Sequence, residues 1–129
     1  MRKTVFAMLM VGLALTACQE SLEDRCAREA KNYTDKKCPA PIGENVTIDS
    51  VVFERSTHTM CYYYTLSGVA DDKDAVERLD PKNTLLNEVK NSTAVKAYKD
   101  AGYSFRYTYH SAKNKGVTLF TATFKKGDY

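Results

Sequence analysis

"YSFRYTYHSAKNKGVTLFTATF", residues 103–124, is the stretch on which the fold turns. Tyr103, Phe105, Tyr107 and Tyr109 alternate with Ser104, Arg106, Thr108 and His110, the period of a strand with one aromatic face and one polar face. "AKNKG" supplies the turn, and "VTLFTATF" returns with Phe120, Ala122 and Phe124 on the side that continues the aromatic face. A lone hairpin is marginal in water, so this face needs further strands beside it and a helical cover from elsewhere in the chain.

The strands come from residues 46–67. "VTIDSVVFERS" is rich in β-branched residues, and "THTMCYYYTLS" sets Met60, Tyr62, Tyr64 and Leu66 against Cys61, Tyr63 and Thr65. Together they predict a hairpin turning near Ser56 and Thr57, with the first four on the covered side. The cover comes from two helical regions. Residues 21–37 form the first, where Ser21 and Asp24 make a capping box and Leu22, Cys26, Ala30 and Tyr33 share a face. Pro39 and Pro41 stop it, which leaves "CPAPIGEN" as a connector. After "GVADDKDAVERLD", a polar connector with a helical turn at 75–79, Asp80 caps a second helix with Pro81 at its first position. Leu85, Leu86 and Val89 give its apolar face, and Ala94, Val95, Tyr98 and Ala101 resume it past a bend at Asn91 and Ser92, ending before Gly102. The expected fold is therefore α+β, a four-stranded antiparallel sheet with helices on one face, in the order α-β-β-α-β-β.

The N-terminus has a separate character. Arg2 and Lys3 precede "VFAMLMVGLAL", and Thr16 and Ala17 stand before Cys18, the charged, apolar, small-residue order of a secretory signal. The apolar run falls short of the roughly 20 residues a membrane span needs. Leu15-Thr16-Ala17-Cys18 resembles the lipobox of bacterial lipoproteins. That resemblance implies a signal peptide at residues 1–17, acyl chains on Cys18, and a single mature domain over 18–129 held at the membrane. One acyl chain binds reversibly, so a durable anchor takes two or three. Gln19, in place of the aspartate tied to inner-membrane retention, favours the outer membrane.

Composition narrows the partners. The formal charge of +3 includes Arg2 and Lys3, and without them the mature part is nearly neutral, which argues against nucleic acid. Of four cysteines, Cys26, Cys38 and Cys61 follow Cys18. An oxidising compartment allows them one bridge at most, and a helix between Cys26 and Cys38 separates that pair, so Cys38 with Cys61 is the candidate disulfide. No Cys-x-x-Cys or paired-His spacing suggests a metal site, and no cofactor motif is present.

Catalytic chemistry has little to draw on. The two histidines, His58 and His110, sit at a predicted turn and a strand end, and Cys61 lies three residues from His58, on the other side of the strand. Asp71, Asp72 and Asp74 lack the glycine and glutamate of a calcium loop and read as a solvated acidic loop. Asp49-Ser50-Val51 resembles a bacterial O-glycosylation sequon inside a strand. Of the nine tyrosines, Tyr62, Tyr64, Tyr103, Tyr107 and Tyr109 alternate as a covered sheet face does. Tyr63, Arg106, Thr108 and His110 fall on the opposite face, which is free to take a partner protein or glycan.

The mature part also resembles small bacterial envelope domains of unknown function that combine Cys-Pro after a first helix with a Tyr-x-Tyr strand, here Cys38-Pro39 with Tyr62 and Tyr64. Such families carry no assigned active site. The expectation is a binding or structural module of the envelope without catalysis. The alternatives are a small enzyme using Cys61 or His110, and an inhibitor or immunity-like lipoprotein.

Overall fold

The structure is a computed structural model and describes residues 20–129; the expected signal peptide at residues 1–17 and Cys18 lie outside the described residues. Helix α1 spans Leu22–Lys37, and its N-cap Ser21 accepts a hydrogen bond from the Asp24 N–H, as the capping box predicts. Strands β1 (Ala40–Gly43), β2 (Val46–Glu54) and β3 (Thr59–Leu66) follow. Between β2 and β3 the chain turns through a short 3-10 segment at Arg55–Thr57, closed by His58 in the left-handed region. Three short helices then cross back: α2 (Lys73–Arg78), α3 (Pro81–Asn91) and α4 (Lys96–Asp100). Strands β4 (Ser104–Ser111) and β5 (Thr118–Phe124) complete the chain.

The fold is α+β, with a five-stranded mixed sheet in the order β1-β2-β3-β4-β5. This corrects the expected four antiparallel strands in two respects. First, "APIG" is an edge strand, paired with β2 through Ala40 opposite Ile48 and Pro41 opposite Thr47. Proline lacks an N–H but is tolerated where one side of the strand has no neighbour. Second, β3 and β4 run parallel, with Thr59 beside Ser104 and Leu66 beside Ser111. A parallel pair needs a long crossover, and α2, α3 and α4 provide it by carrying the chain from the end of β3 back to its beginning.

The helical layer closes one face of the sheet. Cys26 and Ala30 of α1, Leu85 and Val89 of α3, and Tyr98 of α4 join Ile48, Met60, Tyr64, Phe105 and Phe124 in one apolar cluster. Phe105 is fully buried and Phe124 nearly so, at the centre of the aromatic face read from the sequence. Parallel register places Tyr62 beside Tyr107 and Tyr64 beside Tyr109, with ring centroids 4.8 Å and 4.5 Å apart. These distances match the spacing of neighbouring strands, so each ring lies flat against its partner.

The break between α3 and α4 falls at Ser92, as the residue types there predict. Lys99 bridges it by donating from Nζ to the carbonyls of Val89 and Lys90 at 2.8 Å and 3.0 Å, which satisfies two acceptors at the end of α3.

Helix α1 is tied to the sheet by a hydrogen-bonded device. β1 is too short to flank all of β2, and at Val51 the Thr34 hydroxyl takes the missing strand's place. It donates to the Val51 carbonyl at 2.8 Å and accepts from the Val51 N–H at 2.9 Å. Thr34→Val keeps the shape and leaves both backbone groups unpaired in a half-buried setting. Urea unfolding of this variant should show a loss of about 2 kcal/mol. Amide exchange should quicken first at Val51, and an unchanged Val51 exchange rate refutes the role.

Candidate functional site

The sheet has an uncovered face and a covered one, and each carries a distinct constellation. On the uncovered face Tyr63, Arg106, Thr108 and His110 come together as their alternation predicts, through the β3–β4 register. The rings of Tyr63 and His110 stack at 6.3 Å, and the hydroxyls of Thr108 and Thr121 lie 3.3 Å apart. Arg106 extends toward the start of β3, where its Nη2 donates to Glu54 Oε2 at 3.2 Å and to Cys61 Sγ at 3.1 Å. The Thr57 hydroxyl, then Arg106, hold the Glu54 carboxyl below its usual range.

The cysteines do not fit the candidate bridge. Cys26, Cys38 and Cys61 are all free thiols. Cys61 lies on the uncovered face beneath Arg106, whereas Cys38 caps α1 and packs against the cluster on the helical side, so the sheet separates the two. Burial pushes all three thiols up in pKa, with Arg106 opposing that shift at Cys61. The residues of the enzyme alternative are also apart. Cys61 pairs with Arg106 in the sheet and His110 with Thr65, four residues further along the strands. His58 stacks on Tyr103 at 4.7 Å and meets Glu23 of α1.

The acidic loop divides into different roles. Asp72 caps α2 by accepting from the Ala75 N–H at 3.1 Å. Asp71 is not solvated but 3% exposed, which corrects the expectation. Its carboxylate accepts from the Ser111 hydroxyl at 2.5 Å and from the Lys113 N–H at 2.9 Å, fastening the start of the crossover to the end of β4. These donors, Ser111 foremost, hold the Asp71 carboxyl below its ordinary 3.8. The sequence signal for this clasp is weak, because its partners lie 40 and 42 residues away.

Sequence reading missed an apolar concave feature. On the covered side, where α2 and α3 lean over the ends of β2 and β3, there is a cleft of about 320 Å³. Its floor is Tyr64, Leu66 and Tyr109, its walls include Val76 and Leu85, and Ile42 and Leu79 stand at its rim. Ile42 is 55% exposed and Leu79 75% exposed. Among the described residues Glu88 is the one carboxylate of the lining. Burial pushes the Tyr109 phenol up to about 12 and the Tyr64 phenol higher still, so both floor hydroxyls stay neutral. The available signal was the presence of Ile42 and Leu79 in segments read as connectors.

A mixed five-stranded sheet with helices on one face, an apolar cleft beneath them and a polar face opposite defines a small α+β domain. The chain belongs to a family described as a domain of unknown function, DUF8479, whose model matches residues 21–120. No curated protein matches it. Two solved structures share the fold. A Pseudomonas aeruginosa protein inferred to be secreted is 14% identical with a TM-score of 0.65, covering 85% of this chain and 98% of its own. The type II secretion system pilotin AspS from Vibrio cholerae is 16% identical with a TM-score of 0.61, covering 90% of this chain and 99% of its own. At these identities the likeness is one of fold.

The Asp71 clasp sets a pH dependence. A folded-state pKa below the unfolded value means that the unfolded chain binds the proton first, so the contribution is present above 3.8 and is lost as pH falls through the folded pKa. Thermal unfolding followed from pH 7 down through this window should show a steeper fall for the wild type than for Asp71→Asn, which starts lower at neutral pH. Parallel curves refute the clasp.

Proposed function

We propose that this chain is a lipid-anchored module of the bacterial envelope, without catalysis of its own, that holds a partner protein through the apolar cleft. The cleft is the observation that carries the reading. Its size is that of a ligand site, its lining is apolar, and two large aliphatic side chains stand exposed at its mouth. The occupant it fits is a protein segment presenting large apolar side chains beside a lysine or arginine that pairs with Glu88. Envelope placement draws support from Leu15-Thr16-Ala17-Cys18 and from the fold shared with a secretion pilotin and a protein inferred to be secreted. On this reading residues 18–129 are one domain tethered at Cys18, and Gln19 favours the outer membrane.

A second reading places the partner, protein or glycan, on the uncovered face around Tyr63, Arg106, Thr108 and His110. Among the described residues no helix lies over that face, which favours it. The polar groups there partly satisfy one another, through Arg106 with Glu54 and Tyr63 with His110, so less is left to recruit a ligand. The enzyme reading has less support, since Cys61 and His110 do not converge. An inhibitor or immunity-like lipoprotein remains a variant of the protein-binding proposal.

The test has two parts. Wild type should fractionate with membranes and carry a lipid-sized mass on Cys18, and Cys18→Ala should do neither. A photo-crosslinking amino acid at position 79 should then capture one envelope protein in living cells. The same group at Thr123 on the uncovered face should not, and Ile42→Asp should abolish capture. Capture from position 123 alone moves the site to the uncovered face, and capture from neither position overturns the binding proposal.

A further inference from the structure

The two edges of the sheet are finished in different ways. At the β1 edge the strand is four residues long, contains Pro41 and is bulged, and Thr34 occupies the backbone of β2 beyond it. These are the devices by which proteins stop a free edge from pairing with another chain. The β5 edge is less guarded: α2 packs near it and its pairing with β4 shifts register at Leu119, but Phe120–Phe124 pair in regular register and, among the described residues, no proline or side-chain hydroxyl occupies their outer backbone. "TLFTATF" runs for seven residues without proline or charge, and Thr121 and Thr123 are exposed. Among the described residues, the hydrogen bonds that reach β5 come from β4 and from the turn before it. Backbone donors and acceptors left in a row at such an edge form a template for an added strand.

We infer that the outer edge of β5 is a strand-addition site for an extended segment of another envelope protein, with an uncharged β-branched core and acidic residues at both ends. The charge pattern selects this occupant. Exposed Lys113 and Lys115 precede the strand, and exposed Lys125 and Lys126 follow it. Two carboxylates lie near these lysines and both are engaged: Asp128 accepts from the Lys125 N–H at 2.8 Å, and Asp71 accepts from the Ser111 hydroxyl and the Lys113 N–H.

A second copy of the chain fits less well. β5 is close to self-complementary, since antiparallel pairing about Thr121 sets Phe120 opposite Ala122 and Leu119 opposite Thr123. Such pairing brings Lys125 and Lys126, just past the strand end in each copy, toward the turn that carries Lys113 and Lys115 in the other. Like charges so placed oppose pairing, and lysines flanking a β-prone strand are a recognised guard against self-association. An acidic-flanked strand meets the same lysines with attraction. This inference uses a different surface from the cleft and does not rest on it.

The test uses the isotope-labelled mature lipoprotein in detergent micelles. Two synthetic peptides share the core Thr-Val-Thr-Val-Thr, one flanked by Glu-Glu at each end and the other by Lys-Lys. The first should shift the amide resonances of residues 118–124, and the second should bind about tenfold more weakly or worse. N-methylation of alternate amides in the first peptide should abolish the shifts, because backbone pairing is what holds it. Exposed Lys125→Glu with Lys126→Glu should reverse the charge preference while leaving the other resonances in place. Equal binding of both peptides, shifts confined to the cleft, no binding, or pairing of β5 with a second copy in the absence of peptide would each overturn the inference.

Discussion

The parallel, in-register pairing of β3 with β4 is the constraint on which the rest of the molecule depends. It sets Tyr62 on Tyr107 and Tyr64 on Tyr109, and those rings reach Phe124 and Phe120 of β5 at 6.0 Å and 6.2 Å. A parallel neighbour is reached only by returning to the same end of the sheet, so residues between Leu66 and Ser104 have to cross its full length. The crossing segment has one apolar stripe to bury and the tyrosine face is the surface available, so the helices and the aromatic layer cover each other. The cleft follows from the same geometry. Three short helices with a break at Ser92 do not tile the aromatic face as one long helix would, and the gap opens where α2 and α3 meet the far ends of β2 and β3.

The face left uncovered is polar by the two-residue period of the same strands. Thr108, Thr121 and Thr123 are at home there because their branched carbons suit a pleated surface while their hydroxyls remain solvated. Cys61 is the exception, a buried thiol on the open side, 2% exposed because the Arg106 guanidinium bridges to Glu54 over it. Three successive residues, Thr59, Met60 and Cys61, are buried, Met60 in the apolar cluster beneath the helices, Thr59 against the Thr57 hydroxyl and Cys61 under Arg106.

Local signals were legible in the sequence, and relations across the chain were not. The cap of α1, the break at Ser92, the helix end before Gly102, both long hairpin strands and the side each sheet tyrosine takes all rest on residues within a few positions of one another. Whether β4 lies parallel or antiparallel to β3 depends on which end of the sheet the helices return to, and no residue spells that. β1 was lost because Pro39 and Pro41 read as breakers, and an edge strand is where that rule relaxes. Asp71 read as solvated because its burial is made by Ser111 and Lys113. The four residues of the candidate face were placed together by alternation alone, whereas the cleft needed the packing of segments that look like connectors.

The attachment of α1 bears on how an anchored domain carries load. Three residues separate Cys18 from the first residue of the helix, Leu22, so under the lipid-anchor proposal any pull at the membrane enters the fold through the first turn of α1. That turn is gripped by Arg55, 2.9 Å from Asp24, and by His58, which meets Glu23 and stacks on Tyr103. Exposed ion pairs of this kind contribute little each. The stronger hold lies further along, where Cys26 is fully buried and Thr34 is bonded at both ends to Val51. Weak contacts at the entry and firmer ones behind make the first turn, under the same proposal, the part of α1 that a pull loosens first.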